Sequence, residues 1–325
     1  MLVVGAEKRG HSPVSTGVRV SVVMPVHNAE AYVEAALRSV LASDIADLEV
    51  IAVDDGSRDR SAAILSAISD PRIVRVHIPA SGGPSRPRNV GIARARAPYV
   101  AFVDSDDLLK RDKLSAAVQA LARWPAANLA FTDFESIDER GALICKSVLA
   151  DYQAWSKFVS EPAHMNWRTI PQAKFARALV YENFIGTSGV VVRKAALDAL
   201  GGFDESLAYS EDRDMWFRLA HYGDALFGTQ VGHSYRVRPG SLTDGPHIRN
   251  ANARIAVLRR ERKRWALNEL AVHHQLDRLI AANLAEIGYE ERGNNRLNAM
   301  VMFARAFATS PQLRWLRGLL GSVLS

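Results

Sequence analysis

The stretch Tyr99–Leu109, which reads YVAFVDSDDLL, decides the fold of this chain. Its first five residues are mostly apolar and rich in β-formers, which predicts a buried strand. Three carboxylates, Asp104, Asp106 and Asp107, follow within four positions. Because side chains alternate along a strand, Asp104 and Asp106 are expected to point the same way if the backbone stays extended. Asp107 then points away and is expected to cap the following helix.

A pair of carboxylates on one side of a strand end predicts a bound cation. Two carboxylates about 4 Å apart repel by roughly 4 kcal/mol at an effective dielectric near 20, so a positive group is expected between them. Oxygen ligands favour a hard divalent cation, Mg²⁺ or Mn²⁺, with Asp104 and Asp106 as its ligands. Taken alone, the pattern is more typical of turn and cap residues before a helix that begins near Leu108, because acidic caps are common. The rest of the chain decides between these interpretations.

Strands and helices alternate through the first 120 residues. The apolar patterns predict strands over 18–26, 48–53, 73–78 and 99–103, and helices over 30–43, 58–69, 85–97 and from about 114. Near-continuous apolar strands separated by helices are typical of a mostly parallel sheet covered on both faces, an α/β fold. Ligands of such sheets bind beyond the carboxyl ends of the strands. Three polar clusters lie at such ends, namely Pro25–Asn28, Asp54–Ser57 and Asp104–Asp107, which favours a site over unrelated caps.

Composition limits the possible classes of protein. The chain has 325 residues, 48% hydrophobic and 23% charged, which is ordinary for a globular protein. Cys145 is the only cysteine, so no internal disulfide can form and a reducing compartment is expected. No run resembles a signal peptide or approaches the roughly 20 apolar residues of a membrane span, so a cytoplasmic location is expected. Neither GxGxxG nor a Walker motif occurs, which weighs against dinucleotide-dependent oxidoreductases and P-loop enzymes.

The predicted organisation is a flexible lead-in over 1–17, an α/β domain over 18–245 and a basic helical region over 246–325. The last region holds thirteen basic and six acidic residues, a net charge of +7, whereas the whole chain carries +6. Its final segment, Arg314–Leu324, mixes Trp and Leu with Arg and is expected to be an amphipathic helix. Such a helix either contacts an anionic membrane at its inner face or packs on the α/β domain with a solvated basic face. No nucleic-acid module is recognisable, so nucleic acid is not an expected partner.

An ordered set of motifs adds a resemblance to a known family. The motifs are PVHN (25–28), VDDGS (53–57), RNVGIARA (88–95), FVDSDD (102–107), GTSGVVVRKAALDALGGFDESL (186–207) and SEDRDMWFRLA (210–220). In this order and spacing, from about Val18 to Thr243, they resemble glycosyltransferase family 2. That resemblance implies a GT-A fold, Rossmann-like, with the basic helical region as a C-terminal appendage.

The resemblance also implies where the donor nucleotide binds. Pro25 and Val26 would offer backbone groups, and Asp55, with a smaller role for Asp54, would accept a hydrogen bond from a uracil-type base or its ribose. His27 stands where the family commonly has Tyr; it can still stack on a base and can also titrate. The implied nucleotide-binding residues are Pro25, Val26, His27, Asn28, Asp54, Asp55, Arg88 (for a phosphate) and Asp104. The cation at Asp106 and Asp104 would bridge the diphosphate.

A helix is predicted to begin after Ser210 as its N-cap, with Glu211 and Asp212 in the first turn. The resemblance assigns the general base to this position, so we expect Asp212 to be the base, with Glu211 as the second candidate. Acidic residues in a first turn also stabilise a helix by a few tenths to about 1 kcal/mol without any further function. Gly201 is expected to end the preceding helix (194–200) in the left-handed conformation, as an αL cap.

The predicted function is transfer of a sugar from a nucleoside diphosphate sugar, of the UDP type, to the hydroxyl of a glycan or other acceptor. Metal assistance and inversion at the anomeric carbon are implied by the resemblance. A sugar-nucleotide nucleotidyltransferase is the nearest alternative enzyme, but it requires a Gly-rich loop after the first strand, where this chain has PVHN. A catalytically inactive nucleotide-binding or sugar-binding module is the other alternative.

Overall fold

The computed structural model describes residues 17–152, 164–239, 241 and 247–324. Nearly all of the predicted lead-in lies outside the described residues. The strands are β1 Val20–Val26, β2 Leu48–Asp55, β3 Ile73–Ile78, β4 Tyr99–Phe102, β5 Leu108–Leu109, β6 Ala127–Ile137, β7 Leu143–Cys145, β8 Trp167–Ile170, β9 Val191–Arg193 and β10 Asp224–Arg236. The helices are α1 Val33–Leu41, α2 Ser61–Ala67, α3 Ser85–Arg94, α4 Lys113–Arg123, α5 Gln172–Tyr181, α6 Lys194–Leu200, α7 Glu211–Ala220, α8 His247–Arg264, α9 Leu270–Glu291, α10 Arg296–Thr309 and α11 Leu313–Leu324.

All the described strands belong to one mixed sheet, in the order β3-β2-β1-β4-β9-β6-β10-β5, with β7 paired to β6 and β8 paired to β10. The long ladders, among β3, β2, β1 and β4 and between β6 and β10, are parallel. The antiparallel ladders are short, and β9 makes two of them by inserting between β4 and β6. The predicted α/β class with a mostly parallel sheet is therefore confirmed.

Helices cover both faces of the sheet, as predicted. On one face α1, α2 and α4 bury Val33, Leu65 and Leu114 in a common apolar cluster. On the other face α3 and α5 to α7 form a second cluster that also takes in residues of α8 to α11. Trp315 of α11 is 4% exposed within that second cluster, so the aromatic residue of the last helix packs inside the protein.

Some predicted bounds were wrong, and the differences bear on the site. Strand β2 continues to Asp55, so Asp54 and Asp55 lie within the strand, opposite His77 and Ile78 of β3. Strand β4 ends at Phe102. The predicted helices over 30–43, 58–69 and 85–97 are all shorter, at 33–41, 61–67 and 85–94, and the backbone is already extended at Ile68 and Ala95. The helix 194–200 is confirmed, and it ends at Gly201 with a φ of 75°.

Within the described residues, no helix has the length and apolar character that a membrane span requires.

Candidate active site

The ends of β1 and β2 form one side of the candidate site. Pro25 and Val26 close β1; Pro25 is partly exposed, whereas the Val26 side chain is fully buried, so Val26 can offer only backbone groups. His27 and Asn28 are exposed beyond them. The His27 Nδ1 atom lies 2.7 Å from the backbone oxygen of Asp55, and the Asn28 Oδ1 atom accepts a hydrogen bond from the backbone N–H of Arg58. These contacts fix the two exposed side chains at the rim.

Asp54 and Asp55 are both buried, and neighbouring side chains satisfy them. The Asp54 carboxylate lies 2.7 Å from Nδ1 of His77 and accepts a hydrogen bond from the backbone N–H of Ser57. The Asp55 carboxylate accepts hydrogen bonds from both the backbone N–H and the hydroxyl of Ser81, at 2.9 and 2.8 Å. The two acids therefore shape the loops at this edge, and their predicted contact with a nucleoside remains a prediction.

The second side of the site is the acidic turn 104–107. Because β4 ends at Phe102, the backbone is not extended here, and the expected strand-like alternation of Asp104 and Asp106 is wrong. Instead the backbone N–H of Asp107 donates to the backbone oxygen of Asp104 at 3.1 Å and closes a turn. The Asp104 carboxylate pairs with Arg88 at 2.8 Å, and the Asp106 carboxylate pairs with Arg238 at 2.7 Å.

The expectation that Asp107 caps the following helix is also wrong. Asp107 is 2% exposed, and its carboxylate accepts hydrogen bonds from the hydroxyl of Ser188 at 2.6 Å and from the backbone N–H of Arg236 at 2.9 Å. The Ser188 hydroxyl in turn accepts from the backbone N–H of Asp104. Asp107 is therefore an internal anchor that ties the acidic turn to β10 and to the segment before β9.

Burial and mutual repulsion act on the acids of this turn. Burial raises the pKa of Asp106, the charge of Asp104 raises it further, and Arg238 opposes the rise. Burial raises the pKa of Asp107 well above its usual range, with Asp106 and Asp104 adding to the effect. A cation next to Asp104 and Asp106 would favour their ionised forms and relieve this repulsion.

The acids fit a divalent cation that is shared with a ligand. The side chains of Asp104 and Asp106 are 31% and 19% exposed, so both are accessible from the edge of the sheet. No group of three or more His, Cys, Asp or Glu side chains that could hold a metal occurs among the described residues. A site with only two protein carboxylates as ligands suits Mg²⁺ or Mn²⁺, because these ions complete their coordination with substrate phosphates and water.

Arg88 does not present its guanidinium to an open phosphate site as the sequence predicted. It is 3% exposed, and its Nη1 and Nη2 atoms donate to Glu211 at 2.6 Å and to Asp104 at 2.8 Å. Burial alone would lower the pKa of Arg88, but the two carboxylates outweigh it and raise the pKa above its ordinary value. Arg88 is therefore a buried cation that joins the acidic turn to the start of α7.

Helix α7 begins with the two acids that the motif predicted, but its N-cap differs. Ser210 has a left-handed φ of 59°, and its side chain makes no capping hydrogen bond. Burial raises the pKa of Glu211 to about 7, with Arg88 opposing and Asp212 adding to the rise. Asp212 is only partly buried, and its Oδ2 atom lies 3.4 Å from Nδ2 of Asn183. Of the two candidate bases, Asp212 is the one whose carboxylate is accessible.

Several residues at the site were missed by the sequence analysis. Arg236 and Arg238 lie at and just beyond the end of β10, and their guanidinium carbons are 5.0 and 5.3 Å from the ring centroid of Tyr32. Arg238 pairs with Asp106, and Ser188 holds Asp107. The alternation RVR over 236–238 was a visible signal for two cations on one side of a strand end. Their contact with the acidic turn was not readable, because more than 100 residues separate the two in sequence.

A mostly parallel sheet with helices on both faces, and with carboxylates gathered at the carboxyl edge, is the arrangement of a GT-A-type transferase. The model of the Glycosyl transferase family 2 matches residues 21–168, and that of the Glycosyl transferase family group 2 matches residues 99–325. The chain belongs to glycosyltransferase family 2 and is a glycosyltransferase. The resemblance drawn from its motifs is confirmed.

Curated relatives support the family assignment. The succinoglycan biosynthesis protein ExoO of Rhizobium meliloti is 28% identical over 267 residues, which cover 80% of this chain and 72% of ExoO. An uncharacterized glycosyltransferase of Haemophilus influenzae is 35% identical over 122 residues, 36% of this chain and 49% of that protein. The chain thus spans about half the length of the latter relative.

Solved structures agree with the fold. The crystal structure of S. aureus TarS 1-349 superimposes with a TM-score of 0.61 at 19% identity, covering 90% of this chain and 81% of that one. The same protein in complex with UDP-GlcNAc superimposes with a TM-score of 0.59 at 19% identity, covering 94% and 79%. At this level of identity the likeness concerns the GT-A fold.

Proposed function

We propose that this glycosyltransferase moves a sugar from a UDP-type nucleoside diphosphate sugar to an acceptor hydroxyl, by a single displacement with inversion. The observation that carries the proposal is the convergence of two acidic motifs on one edge of the sheet. Asp104 of the acidic turn and Glu211 at the start of α7 both bind Arg88, and Asp212 is the residue that follows Glu211 in α7. TarS, which shares the fold, has been solved with UDP and with UDP-GlcNAc.

On the donor side, the rim at β1 and β2 would hold the nucleoside. The exposed His27 ring would stack on the base, and Asn28 would line the same rim. Asp104 and Asp106 would hold Mg²⁺ or Mn²⁺ together with the diphosphate. When bound, the cation would neutralise the charge that develops as the nucleoside diphosphate leaves. The guanidinium of Arg238, which pairs with Asp106, provides a second positive charge beside the proposed diphosphate site.

On the acceptor side, Asp212 would take the proton of the attacking hydroxyl. An acceptor hydroxyl is a poor nucleophile until a positioned base removes its proton. Glu211 is less suited to the task because it is 7% exposed and is occupied by Arg88 at 2.6 Å. Asp212 is partly exposed at the first turn of α7, with Asn183 near one of its oxygens.

The acceptor class is proposed from relatives. ExoO is named as a succinoglycan biosynthesis protein, and it covers 80% of this chain. We propose that the acceptor is the hydroxyl of a growing glycan. The pocket for it would involve the region between β6 and α5, part of which lies outside the described residues.

We also propose that α10 and α11 contact an anionic membrane surface from the cytoplasmic side. Large apolar side chains are exposed on both helices, namely Leu297 at 73%, Leu313 at 77% and Leu320 at 55%. Arg314 and Arg317 are exposed on α11 beside these Leu residues. Exposed Leu next to exposed Arg is the pattern that interfacial helices use on anionic lipid. The buried Trp315 supports packing of the opposite side of α11 on the protein.

A ligand screen followed by turnover tests the transferase proposal. Binding to the native state raises its stability, so UDP and UDP-sugars should raise the Tm, and Mn²⁺ should increase the effect. UDP release from the sugar nucleotide that binds best, measured with a glycan acceptor and in water, then tests catalysis. Stabilisation without UDP release would favour an inactive binding module, and the absence of any stabilisation by uridine nucleotides would overturn the donor assignment.

A further inference from the structure

We propose that Arg88 is a positioning residue that sets the first turn of α7, and with it Asp212, in place relative to the acidic turn 104–107. This role rests on the proposed function, in which Asp212 is the base. It differs from phosphate binding, the role that the sequence motif implied for Arg88, and it is argued from the contacts of the buried guanidinium.

One guanidinium group fixes the distance between two motifs. Its Nη1 atom donates to Oε1 of Glu211 at 2.6 Å, and its Nη2 atom donates to Oδ1 of Asp104 at 2.8 Å. The Arg88 side chain is 4% exposed, and that of Glu211 is 9% exposed. Because a guanidinium is planar and its donors have a fixed geometry, two carboxylates bound to one fork are also fixed relative to each other.

The start of α7 has no capping side chain of its own. A helix normally secures its first turn with a capping side chain, but Ser210 makes no capping hydrogen bond and has a left-handed φ of 59°. The contact from Arg88 restrains Glu211, the first residue of α7, whereas Asp214 in the same turn is bound by Arg218. Asp212 is the next residue along the chain, so its position follows that of Glu211.

Helix α3 also binds the segment that leads into α7. The Asn89 side chain accepts from the backbone N–H of Phe203 at 2.7 Å and donates to the backbone oxygen of the same residue at 2.9 Å. The hydroxyl of Ser85 donates to the backbone oxygen of Leu207. The Phe203 ring centroid lies 5.3 Å from the guanidinium carbon of Arg88. The segment 203–211 is thus attached to α3 at several points, and Arg88 is the point nearest the chemistry.

The test is a double-mutant cycle between Arg88→Met and Asp212→Asn, measured as UDP release from the UDP-sugar that the wild type uses. A displacement of about 1 Å can cost about 10²-fold in rate, so Arg88→Met should lower kcat by about that factor. Calorimetry should still detect UDP binding. In the Arg88→Met background, Asp212→Asn should cost about 10²-fold less than it costs in the wild type, because the displaced base has already lost that part of its contribution.

Arg218→Met is the matched control. Arg218 lies on α7 and binds the buried Asp214 at 2.7 Å, and it also holds the backbone oxygen of Gly202, but it does not contact the acidic turn. Any fold-loss in kcat that Arg218→Met causes should multiply with the fold-loss caused by Asp212→Asn. This is expected for a residue that does not position Asp212 relative to the acidic turn. Arg88→Lys, which keeps the charge but loses the fork, replaces Arg88→Met if the latter does not fold, and should show the same coupling more weakly.

Two outcomes would overturn the proposal and can be told apart. If Asp212→Asn alone strongly reduces turnover and the fold-losses of Asp212→Asn and Arg88→Met multiply in the double variant, Asp212 remains the base and the positioning role of Arg88 is wrong. If Asp212→Asn alone turns over at nearly the wild-type rate, the base assignment of the proposed function is wrong, and the role of Arg88 falls with it.

Discussion

Each acid of the site is held by a different kind of partner, and the partner determines what the acid can do. Asp107 is bound by Ser188 and a backbone N–H and cannot leave its position without unpaired buried oxygens. Asp106 is bound by Arg238, and both side chains are partly exposed, so this pair is accessible to a ligand. Glu211 is bound by the buried Arg88, whereas Asp212 remains accessible at the helix start.

Asp212→Asn should leave donor binding intact and reduce turnover. Loss of a general base costs about 10² to 10⁴-fold in rate without necessarily weakening ground-state binding. Glu211→Gln should reduce turnover less, because Gln can still accept a hydrogen bond from Arg88. Steady-state UDP release and calorimetric titration with UDP are the measurements. A larger loss in Glu211→Gln than in Asp212→Asn would move the base to Glu211.

Asp106→Asn should remove the metal dependence of nucleotide binding while leaving the fold intact. Neutralising one carboxylate relieves the repulsion from Asp104, so the metal-free variant should be at least as stable as wild type if the lost pair with Arg238 costs little. Titration of UDP with and without Mn²⁺ measures the effect. Asp70→Asn, an acid paired with Arg72 away from the site, is the control. Unchanged affinity and unchanged metal dependence in Asp106→Asn would refute the metal assignment.

Glu211 should make the free energy of unfolding depend on pH between its pKa in the unfolded state and its pKa in the folded state. Its pKa in the folded state is raised from 4.5 to about 7, so the native state binds more protons than the unfolded state between these values. Stability should therefore fall as the pH rises through this window, by up to about 3 kcal/mol for a shift of this size. Glu211→Gln should lack this fall, as measured by urea unfolding at pH 5 and pH 8.

The control for this titration is Asp198→Asn, an exposed acid on α6 that pairs with Lys194. Its unfolding free energies should follow those of wild type at both pH values. If the difference between wild type and Glu211→Gln were the same at pH 5 and pH 8, Glu211 would not be the titrating group.

At the scale of elements, the site depends on the close packing of α3 on the sheet. A Cβ atom at Gly91 would lie 2.3 Å from Cγ1 of Val23, which is fully buried in β1. Glycine therefore allows α3 to approach β1 closely enough for Arg88, three residues earlier, to reach the acidic turn. The short β4 has a similar effect, since its early end at Phe102 leaves room for the turn that carries Asp104.

Gly91→Ala should destabilise the protein. Alanine favours a helix over glycine by about 1 kcal/mol, but overpacking a buried interface costs about 1 to 3 kcal/mol. The short distance of 2.3 Å between the added Cβ and Cγ1 of Val23 places this site at the upper end. Chemical denaturation measures the change. Gly293→Ala is the control, because no neighbouring atom lies within 4 Å of its Cβ position. Equal stability of the two variants would mean that α3 can shift away from β1 without cost.

At the scale of the whole molecule, the basic C-terminal helices are joined to the catalytic α/β region by specific contacts. Arg177 of α5 pairs with Glu269 at 2.6 Å, and His221 lies 2.7 Å from the fully buried Glu261. Several Arg residues of α8 have acidic partners as well, among them Arg260 with Asp204 and Arg262 with Asp277. The net charge of this region therefore overstates how many cations are available to a partner.

Charge reversal on α11 tests membrane contact without removing the packed helices. The double variant Arg314→Glu and Arg317→Glu should bind anionic vesicles less than wild type, and salt should weaken the binding of wild type. Cosedimentation with vesicles that contain phosphatidylserine is the measurement. Arg94→Glu with Arg111→Glu, both exposed on the α/β region, is the matched control for net charge. Equal cosedimentation of the two double variants would refute contact through α11.

The sequence by itself determined the parallel part of the sheet from β1 to β4, the family and the positions of the acidic motifs. Apolar strands such as β1 and β4, and helical spacing such as Val33, Ala36 and Leu37 in α1, are local patterns that depend only on neighbouring residues. The placement of polar clusters at strand ends follows from the parallel topology, because carboxyl ends of parallel strands share one edge. These features could be predicted because no long-range contact is needed to read them.

Only the tertiary structure decided which partner each functional group has. Arg88 was expected to bind phosphate, but the fold buries its guanidinium and brings Asp104 and Glu211 to it. Arg238 reaches Asp106 from a strand end 132 residues away. Ion pairs of this kind depend on the packing of distant elements and on desolvation, and neither quantity is encoded in the spacing of a motif.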